Sequence, residues 1–370
     1  MPLTSSAIKH QALALGFDVC GVARADDFPE LHALREWLDR GYAGQMAYLA
    51  RSVERRADVR NVLPSARSVI VAAMVYNTDR PYSIETTAAA EGQISRYAWG
   101  EDYHEIVGGA IERLLAWMRA TSDAAFEAKC YVDSGPVQER AYARHAGIGW
   151  IGKNACLINP ELGSWLFLSE IIVSLDLEPD EAGTDRCGTC TLCLEACPTG
   201  ALVEPGVLDA TRCISYLTIE VKGAVPEGRR DAVGPHVYGC DICQEVCPFN
   251  LRPAVSARGE WLPRAEFDRP ALVDLWRASD DRLRAALTGS AMTRARLAGI
   301  RRNVAVAIGN SGRADMSAVF DEPDEEPRRS PSKQDPMVRE HVAWAKQKLA
   351  GKSRESIVEI AVATPIGSQR

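Results

Sequence analysis

The sequence predicts an α+β chain in three parts: a mixed helix–strand domain over 1–176, a cysteine-rich domain over 177–260 and a helical region over 261–370. Three observations predict it. Helical and strand-like apolar patterns alternate up to Asp176, eight of the eleven cysteines fall between Cys187 and Cys247, and helical spacing dominates after Trp261. At 370 residues, 46% of them hydrophobic and 25% charged, the chain is long enough for more than one core.

The elements follow in order. Ser5 and Ser6 can cap a helix over 7–15 that Gly16 stops, and 17–22 reads as a strand. Leu31, Leu34 and Leu38 mark a second helix, ended by Gly41. SVIVAAMVY, at 68–76, is a continuous apolar run rich in β-branched residues, the pattern of a buried strand. Ile106, Ala110, Leu114 and Trp117 recur on one face of a long helix, and 127–132 and 170–175 read as further strands. Beyond 177 the segments are short and rich in Cys, Pro and Gly. Candidate helices at 272–276, 281–287, 292–308 and 336–349 suggest a small α-helical repeat. The charged, Pro-rich stretch DEPDEEPRRSPS, at 321–332, interrupts that repeat as a flexible linker.

Residues 1–17 lack the basic patch, apolar core and cleavage site of a secretory signal, and the apolar runs 69–76 and 165–168 are too short to span a bilayer. The reading is a cytoplasmic protein, in which a disulfide framework is not expected. A net charge of -7 argues against a protein that coats nucleic acid indiscriminately, while leaving room for a local basic surface.

Cys187-x-x-Cys190-x-x-Cys193-x-x-x-Cys197-Pro198 matches the bacterial ferredoxin run, and Cys213 with Cys240-x-x-Cys243-x-x-x-Cys247-Pro248 supplies a second set. Two-residue gaps let successive thiolates reach three corners of one cubane, while the cysteine before each proline is directed to the partner cluster. Two 4Fe–4S clusters with crossed ligation follow. One takes Cys187, Cys190, Cys193 and Cys247; the other takes Cys197, Cys213, Cys240 and Cys243. Zinc also uses paired CxxC units, but it needs neither the third cysteine at the next two-residue gap nor both Cys-Pro endings. The long insertion at 212–239, with a large region on either side, points to clusters that feed electrons to a cofactor or substrate, since side chains do not perform reduction themselves.

No GxGxxG follows a strand, and the sequence has neither a P-loop nor a CxxCH haem attachment site. Polar residues gather instead in the first domain: Arg55-Arg56, the stretch from Ser95 to His104, Asp133-Ser134-Gly135-Pro136, and Gly149-Trp150-Ile151-Gly152-Lys153-Asn154. Asp133 follows an apolar stretch at a strand end, where catalytic groups are often presented, and a desolvated acid there would keep its proton to higher pH. Asp133 would equally serve as the cap of a helix starting near Pro136.

Taken together, VDSGPVQERAYARHAGIGWIGKN at 132–154, SRYAWGEDYH at 95–104 and the two cysteine motifs resemble the epoxyqueuosine reductase family, in the family's order and over most of 1–248. RRNVA at 301–305 and AIGN at 307–310 are similar to its C-terminal helical-repeat region. The resemblance implies a cobalamin-dependent oxidoreductase whose cobalamin domain is similar to that of the corrinoid reductive dehalogenases. It would reduce epoxyqueuosine to queuosine at the wobble position of tRNA, the last step of queuosine biosynthesis, with two 4Fe–4S clusters supplying electrons. Asp133 matches the family's proton donor. Arg56, Tyr97, Asp133, Ser134, Lys153, Asn154 and Ser215 carry over by motif as candidates for lining the corrin. No DxHxxG run is present, so cobalamin is expected base-off, and the six histidines read as structural or surface groups.

The implied partners are the anticodon stem–loop of a tRNA carrying epoxyqueuosine and an external electron donor, with no membrane and a monomeric chain. Arg294, Arg296, Arg301 and Arg302 could make one basic face toward phosphates, or a solvated helix surface. A reductive dehalogenase shares the cofactor set, but the helical extension and the lack of a signal peptide speak against it. A plain electron carrier would hold the clusters alone.

Overall fold

The apolar run near residue 70 becomes the middle of a sheet. The structure, a computed structural model, describes residues 3–85, 89–323 and 330–362, with side chains as far as 351. Its contacts divide the chain into two units. The first joins Met1–Ile84, Arg96–Cys213 and Asp241–Leu262; the second joins Glu85–Ser95, Ile214–Cys240 and Pro263–Arg370. This differs from three consecutive domains: most of the cysteine-rich stretch stands with the helix–strand region, and the insertion 214–240 stands with the helical tail.

In the first unit α1 (Ser5–Ala14), β1 (Val19–Arg24), α2 (Pro29–Asp39), β2 (Ser68–Val75), α3 (Tyr103–Thr121), β3 (Ala128–Tyr131), α4 (Glu139–His145) and β4 (Leu166–Val173) follow one another. The strands form one sheet in the order β1-β2-β4-β3, antiparallel throughout. Every residue of β2 is buried, which is why its run contains no charged position. Val69 and Val71 pack with Ala141, Tyr142 and Ala143 of α4. The pleat turns Ile70, Ala72 and Met74 to the opposite face.

Several boundaries correct the sequence reading. Thr4, not Ser5 or Ser6, caps α1, its Oγ1 accepting from the Ala7 N–H at 3.2 Å. Strand β1 starts at Val19 and β4 at Leu166. The helix expected from Pro136 starts at Glu139 with Gln138 at its cap, so Asp133 is not its cap: its φ of 53° turns the chain before the helix begins.

Helix α5 (Leu192–Ala196) belongs to the first unit, and the second unit holds α6 (Ile214–Ile219), α7 (Glu227–Val233), β5 (His236–Tyr238), α8 (Leu272–Arg277), α9 (Asp280–Leu287), α10 (Arg296–Asn310) and α11 (Pro336–Val362). Strand β5 pairs in parallel with Gln93–Ile94. Helix α10 is buried from Gly299 to Gly309 and packs on α8, α11 and β5. A Cβ on Gly309 would stand 2.7 Å from the Trp344 ring, so α10 and α11 close where there is no side chain. The helix expected over 292–308 is instead a 3-10 stretch, Ala291–Ala295, followed by α10, with Arg296 at φ 60° between them. Residues 324–329 of the expected linker lie outside the described residues, and Pro331–Gln334 forms a 3-10 turn. No helix among the described residues is long and apolar enough to cross a membrane.

The predicted basic face does not form, because Arg301 and Arg302 are 0% and 1% exposed. Arg301 donates to the carbonyls of Leu275 and Trp276 at 3.0 and 2.6 Å and pairs with Asp280 at 3.1 Å. Arg302 donates to the carbonyls of Leu217, Val221 and Gly223 at 2.8, 2.7 and 2.7 Å. Each guanidinium closes carbonyls that a helix end, of α8 or α6, leaves unpaired. Arg294 stays exposed and pairs with Glu220 at 2.9 Å.

Candidate active site and cluster sites

Cys187, Cys190, Cys193 and Cys247 line one cavity of about 170 Å³, together with Lys153 and Phe249. Four thiols around one small cavity are the donor set of a 4Fe–4S cluster, and these residues fit that group. The short helix α5, Leu192–Ala196, carries Cys193, and Cys247 enters from a turn that Pro248 begins. Trp150, 2% exposed, packs edge-on against Phe249 and donates its indole N–H to Cys187 Sγ at 3.4 Å. Lys153 Nζ donates to the carbonyls of Gly188 at 2.6 Å and Cys190 at 3.0 Å, fixing the loop that bears the first two thiols. Of the second set, Cys197 Sγ accepts from the Ala201 N–H at 3.3 Å. Asn154, 4% exposed, donates to the Cys243 carbonyl at 3.2 Å and accepts from the Cys156 N–H at 3.1 Å. Cys20 and Cys130, outside the motifs, are pushed up to about 12 by burial, which keeps them unreactive thiols.

A second constellation forms where β3 ends. Asp133 holds a left-handed φ of 53° and keeps its carboxylate 62% exposed. The N-terminus of α3, capped by Asp102, brings in His104: its Nδ1 lies 2.7 Å from Asp102 Oδ1 and its Nε2 3.5 Å from Asp133 Oδ2. The hydrogen bond to Asp133 does most to push the imidazole up, to about 9; the one to Asp102 adds to it, and burial opposes both. With a carboxylate facing each ring nitrogen, the doubly protonated form is favoured. Behind Asp133 lies Glu139, whose carboxyl accepts the Asp133 backbone N–H at 2.5 Å. Behind Glu139 lies Glu170 of β4, wholly buried, with no hydrogen-bond partner at either oxygen.

The sequence-predicted residues therefore separate into groups. Asp133 and Ser134 share the exposed loop, Ser134 Oγ donating to the Val132 carbonyl at 3.2 Å. Arg56 braces that region from below, donating to the Val137 carbonyl at 2.9 Å. Tyr97 meets the Tyr103 ring edge-on at 6.2 Å, and Tyr103 stacks on His104 at 4.1 Å. Lys153 and Asn154 belong to the cysteine loops, and Lys153 spends two of its three ammonium protons there. Ser215 lies on α6 in the second unit. The exposed oxygens of Asp133 and Ser134 suit an amide-rimmed macrocycle, so at this loop the residues fit a corrin in chemical type. Sequence reasoning placed His104 among structural or surface histidines, and it missed Glu139 and Glu170. Asp102-Tyr103-His104 stood out as polar, but nothing in the sequence paired it with Asp133.

Residues 186–250 match the family model of the 4Fe-4S double cluster binding domain, and residues 56–134 match that of epoxyqueuosine reductase QueG, DUF1730. An epoxyqueuosine reductase of Gloeobacter violaceus is 46% identical over 319 residues, spanning 84% of this chain and 98% of that protein. A crystal structure of epoxyqueuosine reductase with a tRNA-Tyr epoxyqueuosine-modified stem loop matches with a TM-score of 0.78 at 31% identity, covering 93% of this chain and 89% of that one. A structure of the Bacillus subtilis enzyme, with its catalytic aspartate loop swung out of the active site, matches with a TM-score of 0.77 at 31% identity, covering 93% and 90%.

Proposed function

The chain belongs to the epoxyqueuosine reductase family, and we propose that it reduces epoxyqueuosine to queuosine at the wobble position of tRNA, using cobalamin and two 4Fe–4S clusters. One observation carries this: the likeness to proteins of that name runs along nearly their whole length, and one of them is solved with the modified stem loop.

Taking the oxygen out of an epoxide to leave an alkene consumes two electrons and two protons and releases water. When bound, cobalamin supplies the reduced metal centre for that change and the clusters supply its electrons. The chain's own residues hold and protonate. Cys187, Cys190, Cys193 and Cys247 bind one cluster; Cys197, Cys213, Cys240 and Cys243 bind the other. Asp133 delivers a proton to the leaving oxygen, and His104, cationic up to about pH 9, replaces it. The sequence-based expectation of a desolvated Asp133 gives way here, since its carboxylate is exposed and stands beside a cationic imidazole. Ser134, Tyr97 and Arg56 remain candidates for the corrin, as do Lys153 through its third proton, Asn154 and Ser215. The three-domain division, with a HEAT-like repeat in the tail, is kept as a functional reading. So are a monomeric chain, a cytoplasmic setting, an external electron donor, and Arg294 and Arg296 as phosphate contacts.

The test uses anaerobically reconstituted protein and an anticodon stem–loop RNA carrying epoxyqueuosine, with cobalamin present and absent. Nucleoside mass spectrometry is expected to find loss of one oxygen only when cobalamin is present. No conversion, or conversion without cobalamin, overturns the reading.

A further inference from the structure

Asp133 occupies a backbone region that costs a non-glycine residue about 1–3 kcal/mol, so something must hold it there. The turn has little of its own to do so: Ser134 N–H returns to the Val132 carbonyl at 2.5 Å, and the Ser134 hydroxyl bonds the same carbonyl. Beside the His104 contact to the Asp133 side chain, a further bond to its backbone is external. Glu139, in the first turn of α4, accepts the Asp133 N–H at 2.5 Å.

The sheet explains why Glu139 is available. Glu170 pairs in register with Val71 and Tyr131, and alternation places it on the face of Ile172, which packs with α4. An acid on that face meets the first turn of α4 from inside the protein. Glu170 is wholly buried next to Glu139, and burial, Glu139 and Asp133 all push it well up, against Arg56 alone. It therefore keeps its proton, and what charge the pair carries falls to Glu139, whose own carboxyl burial and the Asp133 charge push up to about 7, so the latch gains its charge as pH rises through that range.

We propose that Glu139 is a positioning residue: its carboxyl group latches the Asp133 backbone and so holds the proton-donating side chain in its turn. This rests on the reading of Asp133 as the proton donor. The Bacillus subtilis enzyme, solved with its catalytic aspartate loop swung out, is an example of such a loop occupying a second position.

The test compares Glu139→Ala and Glu139→Gln in full-length, cluster-loaded protein. Amide hydrogen exchange is followed over peptides covering 132–137 and, separately, α4. In Glu139→Ala, exchange at 132–137 is expected to quicken by about tenfold or more while α4 stays protected, and kcat to fall by about tenfold or more at unchanged KM for the RNA. Glu139→Gln keeps an acceptor oxygen in place and recovers both the protection and most of the turnover. Unchanged exchange in Glu139→Ala, loss of α4 protection along with the loop, or a Glu139→Gln variant as impaired as Glu139→Ala overturns the latch. If the wild-type chain leaves epoxyqueuosine RNA untouched, the functional reading falls, and the exchange arms still decide the latch.

Discussion

Asp133, His104, Glu139 and Glu170 form a chain of acid–base groups in which position sets each protonation state. Asp133→Asn is expected to keep its clusters and corrin, read from their absorption bands, and to lose about 10²- to 10⁴-fold in turnover. Full activity in that variant removes Asp133 from the reaction. His104 lies between Asp102 and Asp133 with its pKa raised, so its proton is present below about 9 and lost above it. The pH profile of kcat should fall on that alkaline side, and His104→Gln should lose that limb. Glu139 and Glu170 are raised for the opposite reason, since burial and like charge disfavour ionisation. Folding then binds protons at this pair. Its contribution to stability is complete below about 4.5 and is lost as pH rises through about 7. Glu170→Gln mimics the neutral acid, so thermal melts should show a smaller decline in Tm between pH 5 and 8 than wild type does. Asp133, Arg56 and Arg140 are the other charges acting on the pair and are unchanged in that comparison. Of these four residues only Asp133 was legible in the sequence, from its place after an apolar stretch and before Ser-Gly-Pro. Glu139 and Glu170 lie far apart along the chain, and they meet through strand register and the path of α4, which no local pattern encodes.

At the scale of elements, the sequence was most legible where one physical demand dominates. The run at 68–75 had to be a strand buried on both faces, and it is. Helix α3 was visible from its apolar spacing, and Asp102 supplied its cap. Charge on a helix was not legible in the same way, because spacing tells which residues share a face and not whether that face meets water. Arg301 and Arg302 illustrate this: both look like solvent-facing cations, and both instead satisfy carbonyls at helix ends inside the second unit. Arg301→Ala leaves Asp280, 0% exposed, with Arg284 at 4.0 Å in place of the closer Arg301, so chemical denaturation should find a loss of about 3 kcal/mol, the lower end for a broken buried pair. RNA affinity measured under conditions where the variant is folded should be unchanged. Arg294→Ala is the converse case. Its side chain is exposed and its pair with Glu220 is worth little, so stability should hold while the salt dependence of RNA binding flattens by about one phosphate contact. An Arg301→Ala protein that is fully stable but binds RNA poorly would restore the basic face and refute the structural role.

For the whole molecule, the question is how eight cysteines are shared between two clusters. The motif spacing assigns Cys247 to the cluster of Cys187, Cys190 and Cys193, although Cys197 is nearer to them in sequence. The cavity lined by Cys187, Cys190, Cys193 and Cys247 has the composition that crossed ligation requires. Straight ligation would instead group Cys187 through Cys197 on one cluster and Cys213 through Cys247 on the other. Paired variants separate these cases by iron content. Under crossed ligation Cys193→Ala with Cys247→Ala damages one cluster twice, so bound iron should fall from about eight to about four per chain, and the remaining cluster should keep its reduced spectrum. Cys193→Ala with Cys197→Ala strikes both clusters and should leave almost no iron. Straight ligation reverses the two results, because Cys193 and Cys197 would then share a cluster while Cys193 and Cys247 would not. A chain that keeps one cluster still cannot pass electrons along the complete route, so neither double variant should turn over epoxyqueuosine RNA with an external reductant. Iron content therefore reports the wiring while turnover reports the need for both clusters, and the two measurements can fail independently.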